Sequence, residues 1–307
     1  DFVLLVRTFD KNDNALVSKK YMRLGLANEQ VNAQNYVEAE SILKENFTDF
    51  KKDKETLLNL ANLYLISNQI DKALKTYTIL GENPENMFTS LNGISLANHL
   101  DGDEKQALII SEKAMSLLNE NSSTTDVKQT KERYIQALIW NKKYKLAKTE
   151  IDALFNETET PENWMLSLRA TLNIYKSDFK KSIEDYNLIL KKDSASFDGN
   201  LGKANALKAS GYYMDAYKSA DNTLSFYKNQ KDATQFIKSL DKDFTPFLET
   251  IISYSFDNGN NKAYSYAANT EFPFSTKFKV LASYTYRTTS NSVNNLNANS
   301  NNFLAGI

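Results

Sequence analysis

Any catalytic use of this 307-residue chain has to begin with His99, its only histidine. A serine or thiol nucleophile needs a neighbouring base, and a zinc site needs several nitrogen or sulfur ligands. One histidine in a chain without cysteine supplies neither, and it also leaves no disulfide framework. Carboxylates are plentiful, but 38 acidic residues balanced by 37 basic ones read as solvated helix faces. A glycosidase pair is defined by its separation in space, and no spacing in the chain isolates one. Gly93, Gly199 and Gly202 lie inside or at the start of helical patterns rather than in a phosphate-cradling loop. The sequence therefore predicts no enzyme: no catalytic residue, no metal and no cofactor. A net charge of −1 also argues against a nucleic-acid partner, which calls for a basic face.

The elements that could position binding residues are helical and repeated. In Glu55 to Pro84, Leu57, Leu60, Ala61 and Tyr64 fall at helical spacing. Ser67, Asn68 and Gln69 interrupt them, and Ile70, Ala73, Leu74 and Tyr77 form a second apolar face before Gly81 and Pro84. Two such helices cannot bury both faces alone, so the unit needs stacked neighbours. Ala39, Ala73, Ala107, Ala147, Ser182 and Ala216 mark the second helix at intervals of 34, 34, 40, 35 and 34 residues. Ala27, Ala61, Ser95, Ile135, Ala170 and Ala204 mark the first helix in the same steps. These residues are mostly small because helices cross closely there. The 40-residue interval contains a polar insertion, Asn119 to Asp126, read as a surface loop in which Thr124, Thr125 or Asp126 caps the next helix. Tyr36, Tyr64, Tyr77, Tyr144, Phe179, Tyr186 and Tyr213 recur near turns and crossings and read as core.

This register of small and aromatic residues resembles a tetratricopeptide (TPR) array over Tyr21 to Tyr227. The resemblance implies that the first helix of each pair lines a concave surface. Mapped onto this chain, that surface would present Asn28, Asn62, Leu65, His99, Gln136, Trp140, Trp164, Thr171, Tyr175, Asn205 and Lys208. Amides that donate and accept, with flat aromatic rings, suit an extended peptide of a partner protein or a polysaccharide. The paired basic residues with which some TPR proteins clamp a carboxylate are not evident.

From Phe244 the chain changes in kind. Its last 64 residues hold seven charged side chains and twelve Phe or Tyr, and the helical period gives way to alternation. Leu248, Thr250, Ile252, Tyr254 and Phe256 oppose Glu249, Ile251, Ser253 and Ser255. Tyr264, Tyr266, Ala268, Thr270, Phe272 and Phe274 form one face of a second segment. Phe278, Val280, Ala282, Tyr284 and Tyr286 form that of a third. Segments of about ten residues are long enough to cross a bilayer as tilted strands. Paired antiparallel through Asp257 to Asn260 and Ser275 to Lys277, they gather tyrosines at one end and phenylalanines at the other, as outer-membrane barrels do. A short turn at Ser275 to Lys277 and a long asparagine-rich loop from Thr288 to Asn302 fit that scheme, with Phe303 to Ile307 starting a fourth strand.

The fold class predicted is thus mainly α, a TPR-type α-solenoid of about six repeats followed by antiparallel β-strands that begin a β-barrel. Residues 1–19 form an N-terminal cap or the remnant of an earlier repeat, 20–243 the solenoid, and 244–307 the strands. The start at Asp1 and the unfinished fourth strand lead to the expectation of a processed or internal piece whose natural chain continues beyond Ile307. Helical repeats followed by strands resemble the exopolysaccharide export porins and the YaiO-like barrel proteins. That resemblance implies a periplasmic array handing a partner or polymer to an outer-membrane pore, with lipid against the strands. Glu249, Ser253, Asn269, Glu271, Lys279 and Arg287 would then face the lumen. The other reading is a soluble interaction scaffold, periplasmic or cytoplasmic, with an ordinary small sheet.

Overall fold

A computed structural model of the chain describes residues 16–275 and 278–307. It shows helix pairs followed by a four-stranded antiparallel sheet. The helices are α1 (Leu16–Asn32), α2 (Tyr36–Asp49), α3 (Lys54–Ile66), α4 (Ile70–Leu80), α5 (Met87–Leu100), α6 (Glu104–Leu117) and α7 (Thr124–Trp140). They continue as α8 (Tyr144–Asn156), α9 (Asn163–Tyr175), α10 (Phe179–Lys192), α11 (Phe197–Ser210), α12 (Tyr213–Phe226) and α13 (Lys231–Phe244). The strands are β1 (Phe247–Phe256), β2 (Asn261–Ser275), β3 (Phe278–Asn291) and β4 (Leu296–Gly306). The chain divides into two compact units, one ending at Ile189 and one beginning at Leu190.

Both series of repeat positions are buried where the sequence puts them. Ala39, Ala73, Ala107, Ala147, Ser182 and Ala216 expose nothing, and neither do Ala61, Ser95, Ala170 and Ala204. Ile135, the one large member, is also buried, in a cluster with Ala147, Ile151, Leu154 and Leu168. Within a pair the interhelix turn carries one residue of positive φ: Gln34, Asn68, Gly102, Lys142, Ser177 and Gly211. Gln69 N donates back to Tyr64 O, and Asp103, Lys143 and Asp178 make the equivalent bond in their turns, so the same backbone lock closes successive pairs.

Two expectations change, and a third falls mostly outside the described residues. The cap of α7 is Ser123, not a later residue: its hydroxyl accepts from Asp126 N at 3.1 Å and donates to the Asp126 carboxylate at 2.6 Å. The N-terminal segment falls outside the described residues up to 15, and from Leu16 it is already α1. The asparagine-rich stretch is not a long loop. Thr288–Asn291 completes β3, residues 292–295 turn, and β4 starts at Leu296, seven residues before the expected Phe303. Asparagine is a poor strand former in isolation, but here backbone pairing to β3 and side-chain bonds compensate. Tyr284 Oη donates to Asn301 Oδ1 at 2.7 Å, and Asn291 Oδ1 accepts from Val293 N and Asn294 N to close the turn. Residues 276 and 277, assigned to the β2–β3 turn, lie outside the described residues; Ser275 pairs with Phe278. The strands follow chain order, β1 and β4 are edges, and the sheet is open rather than a closed barrel.

Candidate functional site

Arg133 and Trp140 are seven positions apart on α7, and Gln136 lies between them three positions after Arg133, so all three share one stripe of the helix. Arg133 Nη1 donates to Gln136 Oε1 at 2.7 Å, and the guanidinium carbon sits 5.6 Å from the centre of the Trp140 ring. The opposite side of the same helix buries Ile135, Leu138 and Ile139, which fixes the stripe's direction.

His99, in the last turn of α5, stacks on Trp140 with ring centres 3.6 Å apart and planes 1° from parallel. Its Nδ1 lies 2.9 and 2.8 Å from the two Glu104 oxygens at the start of α6. A carboxylate can only accept, so the proton belongs on Nδ1. The lone histidine thereby clasps α5, α6 and α7 together.

Tyr77 on α4 joins Asn62 on α3 to this group. It is buried, its hydroxyl donates to Asn62 Oδ1 at 2.9 Å, and burial pushes its phenol up to about 12 against an opposing pull from Arg133. The ring fits because residue 93 is glycine: a Cβ there would come within 2.2 Å of it.

Arg133 is the member that sequence reasoning missed, although its spacing from Trp140 was the available signal. Burial pushes its guanidinium below the usual value, only partly offset by the Glu132 and Tyr77 charges. Its Nε is buried with no hydrogen-bond partner. Among the described residues no carboxylate lies within ion-pair distance of it, whereas Arg23 is met by Asp49 and Arg169 by Asp185.

His99, Gln136 and Trp140 thus form one contact group with Arg133; Tyr77, which holds Asn62, acts on Arg133 through charge, and the other mapped residues lie elsewhere. Asn28 is exposed on α1, and Leu65 packs on the first core cluster. Trp164 packs on the second cluster with Lys128 Nζ 5.5 Å from its ring centre. The Thr171 hydroxyl is 3.3 Å from that of Tyr186, and the half-exposed Tyr175 ring lies 6.3 Å from Tyr144. In the second unit, Asn205 bonds its own helix at Leu201 O, and Lys208 is met by Asp243 at 3.1 Å and Ser239 at 3.0 Å.

Register places all six lumen candidates on one sheet face. Glu249, Asn269 and Ser283 stand in one row, bonded at 3.1 and 2.7 Å. Glu271 accepts from Lys279 at 2.6 Å, and Ser253 aligns through Ser265 with Arg287. The other face carries Leu248, Ile252, Tyr254, Phe256, Tyr264, Tyr266, Phe272, Phe274, Phe278, Tyr284 and Phe303, all exposed except at cross-strand contacts. Tyr254 packs on Tyr264 at one end, and Phe274 on Phe278 at the other.

No protein-family model matches the chain, and no curated protein matches it. Solved structures do. A tetratricopeptide repeat protein from Parabacteroides merdae aligns over 78% of this chain and 89% of its own, with TM-score 0.57 and 16% identity. The Cut9–Hcn1 structure of the APC/C aligns over 78% of this chain and 48% of its own, with TM-score 0.49 and 12% identity. PilW, a type IV pilus biogenesis factor, aligns over 70% and 97%, with TM-score 0.46 and 12% identity. At 16% identity the first of these speaks to fold alone, a TPR-like solenoid for the helical part of the chain, which the four-stranded sheet follows.

Proposed function

We propose that this protein is a helical-repeat scaffold that captures a protein partner in the periplasm and is held in the outer membrane by its C-terminal strands, which belong to a β-barrel. The observation that carries the membrane half is the banded, outward aromatic face of the sheet. Ile252 and Phe256 are each 75% exposed and Leu248 and Phe303 each 69%, a costly surface to leave in water. From Tyr264 to Phe274 is ten residue steps along β2. That is about 34 Å of strand, or about 26 Å of height at a tilt near 40°, close to the apolar band of a barrel. Asn299 and Asn301 lie on this face in the tyrosine rows, at the level of headgroups and water.

The opposite face supports a hydrated interior. Its carboxylate, amide and hydroxyl rows bond to one another, and its charges are mixed, so it suits an uncharged or polymeric solute better than one ion. Passage of a polysaccharide is the use that such a lining fits. An open sheet in lipid would leave edge backbone groups unpaired, so β1 and β4 require further strands in the membrane.

The helices are read as the capture element because repeat solenoids bind through side chains of successive first helices, and the group around Trp140 is built that way. Fractionation of cells expressing the natural full-length gene product tests the proposal. Recovery in the outer membrane in a heat-modifiable form, with the helices cleaved by protease only after permeabilisation, is the expected result. A freely soluble product would remove the membrane half and leave a soluble scaffold with a small sheet.

A further inference from the structure

Arg133 holds a positive charge in a place that costs stability. Its guanidinium is partly withdrawn from water, its Nε is buried and bonds to nothing, and its one hydrogen-bond acceptor is the neutral Gln136. The Trp140 ring recovers part of the lost hydration through its π face. A buried cation normally has a carboxylate against it, and breaking such a pair from one side is among the more damaging changes a fold can suffer. Elsewhere the chain obeys that rule: the buried Arg23 has Asp49 at 2.5 Å, and the more exposed Arg169 meets the buried Asp185 at 2.6 Å. Arg133 alone among these three lacks its anion. Glu132 pulls on its charge from the adjacent position, but neighbours in sequence point about 100° apart on a helix.

We infer that Arg133 receives the carboxylate of an acidic peptide segment, with Gln136 and the Tyr77–Asn62 pair as flanking hydrogen-bonding groups and the His99–Trp140 stack as a rigid wall. The inference rests on reading the helices as a protein-binding scaffold and is independent of the bilayer. A guanidinium presents a planar fork that matches a carboxylate, and its partial removal from water makes that bond count for more. The wall is pre-set: His99 is fixed by Glu104, and Tyr77 is seated by Gly93, so little order is lost on binding. A peptide is favoured over a sugar because the Trp140 ring is already engaged by His99 and Arg133 and offers no open platform to a pyranose.

The chain has two tryptophans, so Trp164→Phe leaves Trp140 as its reporter. In that background, full-length protein is titrated with hexaglutamate, hexaglutamine and an oligogalacturonate while Trp140 emission is followed. Hexaglutamate is expected to give a saturable change that hexaglutamine does not. Arg133→Met should weaken it at least tenfold and Arg133→Lys less. Arg133→Met should also melt higher than the parent, because an unpaired buried charge has been replaced by an apolar chain of similar length. A lower melting temperature for Arg133→Met would make Arg133 an ordinary structural residue and overturn the inference. Equal binding of hexaglutamine would overturn it too, while leaving the scaffold reading standing. Saturation by the oligogalacturonate alone would replace the peptide with an acidic saccharide and so also defeat it.

Discussion

Gly93 is a position where one added carbon has a specific cost. The Tyr77 ring lies over it, and a Cβ would sit 2.2 Å from that ring, so Gly93→Ala must displace a buried tyrosine and its bond to Asn62. The expected loss is about 1–3 kcal/mol in urea unfolding; unchanged stability would mean the ring is free to move. Two serines at the small-residue positions make a sharper pair. Ser95 Oγ donates to Ala107 O at 2.8 Å, whereas Ser182 Oγ is buried without a partner. Ser182→Ala is therefore expected to raise stability by about 1 kcal/mol and Ser95→Ala to lower it by a similar amount. Equal effects would show that the two hydroxyls are equally satisfied. At this scale the sequence was only partly legible. The mapping implied by the TPR resemblance included Gln136, Trp140 and His99, which the structure brings into one contact group. It could not find the role of Arg133, which depends on the absence of a carboxylate contributed by other helices, or that of Tyr77, which depends on Gly93 sixteen residues away. Leu65 and Lys208 were mapped by analogy of position, but Leu65 packs on the core and the Lys208 charge is met within its own unit.

Helix pairs add a dependence on pH. Arg23 on α1 donates to Asp49 on α2 at 2.5 Å, and Lys19 lies 2.9 Å from the same oxygen. These bonds hold the Asp49 carboxyl below its usual range, Arg23 contributing most. A carboxylate depressed in the folded state contributes stability that is fully present above its unfolded value, near 3.9, and disappears as pH falls through the lower folded value. Asp49→Asn is thus expected to lower the urea midpoint at pH 7 and to flatten the fall in stability below about pH 4. A variant with the parent's acid limb would remove this pair from the account. Helices were the most legible elements, because a small residue recurring at intervals of 34 to 40 positions is forced by close crossing and survives many choices elsewhere. β4 was the least legible. Its asparagines advertise a loop to any propensity scale, and only pairing with β3 makes the same residues a strand.

Across the whole molecule, water and lipid would make opposite demands on neighbouring residues of β1. Ile252 stands on the aromatic face in the row of Tyr266 and Tyr286, and Ser253 on the polar face in the row of Ser265 and Arg287. If the aromatic face meets hydrocarbon, Ile252→Arg places a charge within or at the edge of the apolar band, at a cost of up to about 2–4 kcal/mol that falls toward the interface. Ser253→Arg places the same charge beside a hydrated interior and should cost far less. If the sheet is in water, Ile252→Arg replaces a largely exposed apolar side chain with a soluble one, and both variants should be tolerated alike. The expected outcome is that Ile252→Arg reduces outer-membrane recovery and heat-modifiability while Ser253→Arg retains both. Two arginines one residue apart share charge, size and strand propensity, so a difference between them can come only from the solvent each face meets. Equal recovery would mean that the aromatic bands face water or protein. The strands would then be an ordinary sheet, and the helices would remain a scaffold without this anchor.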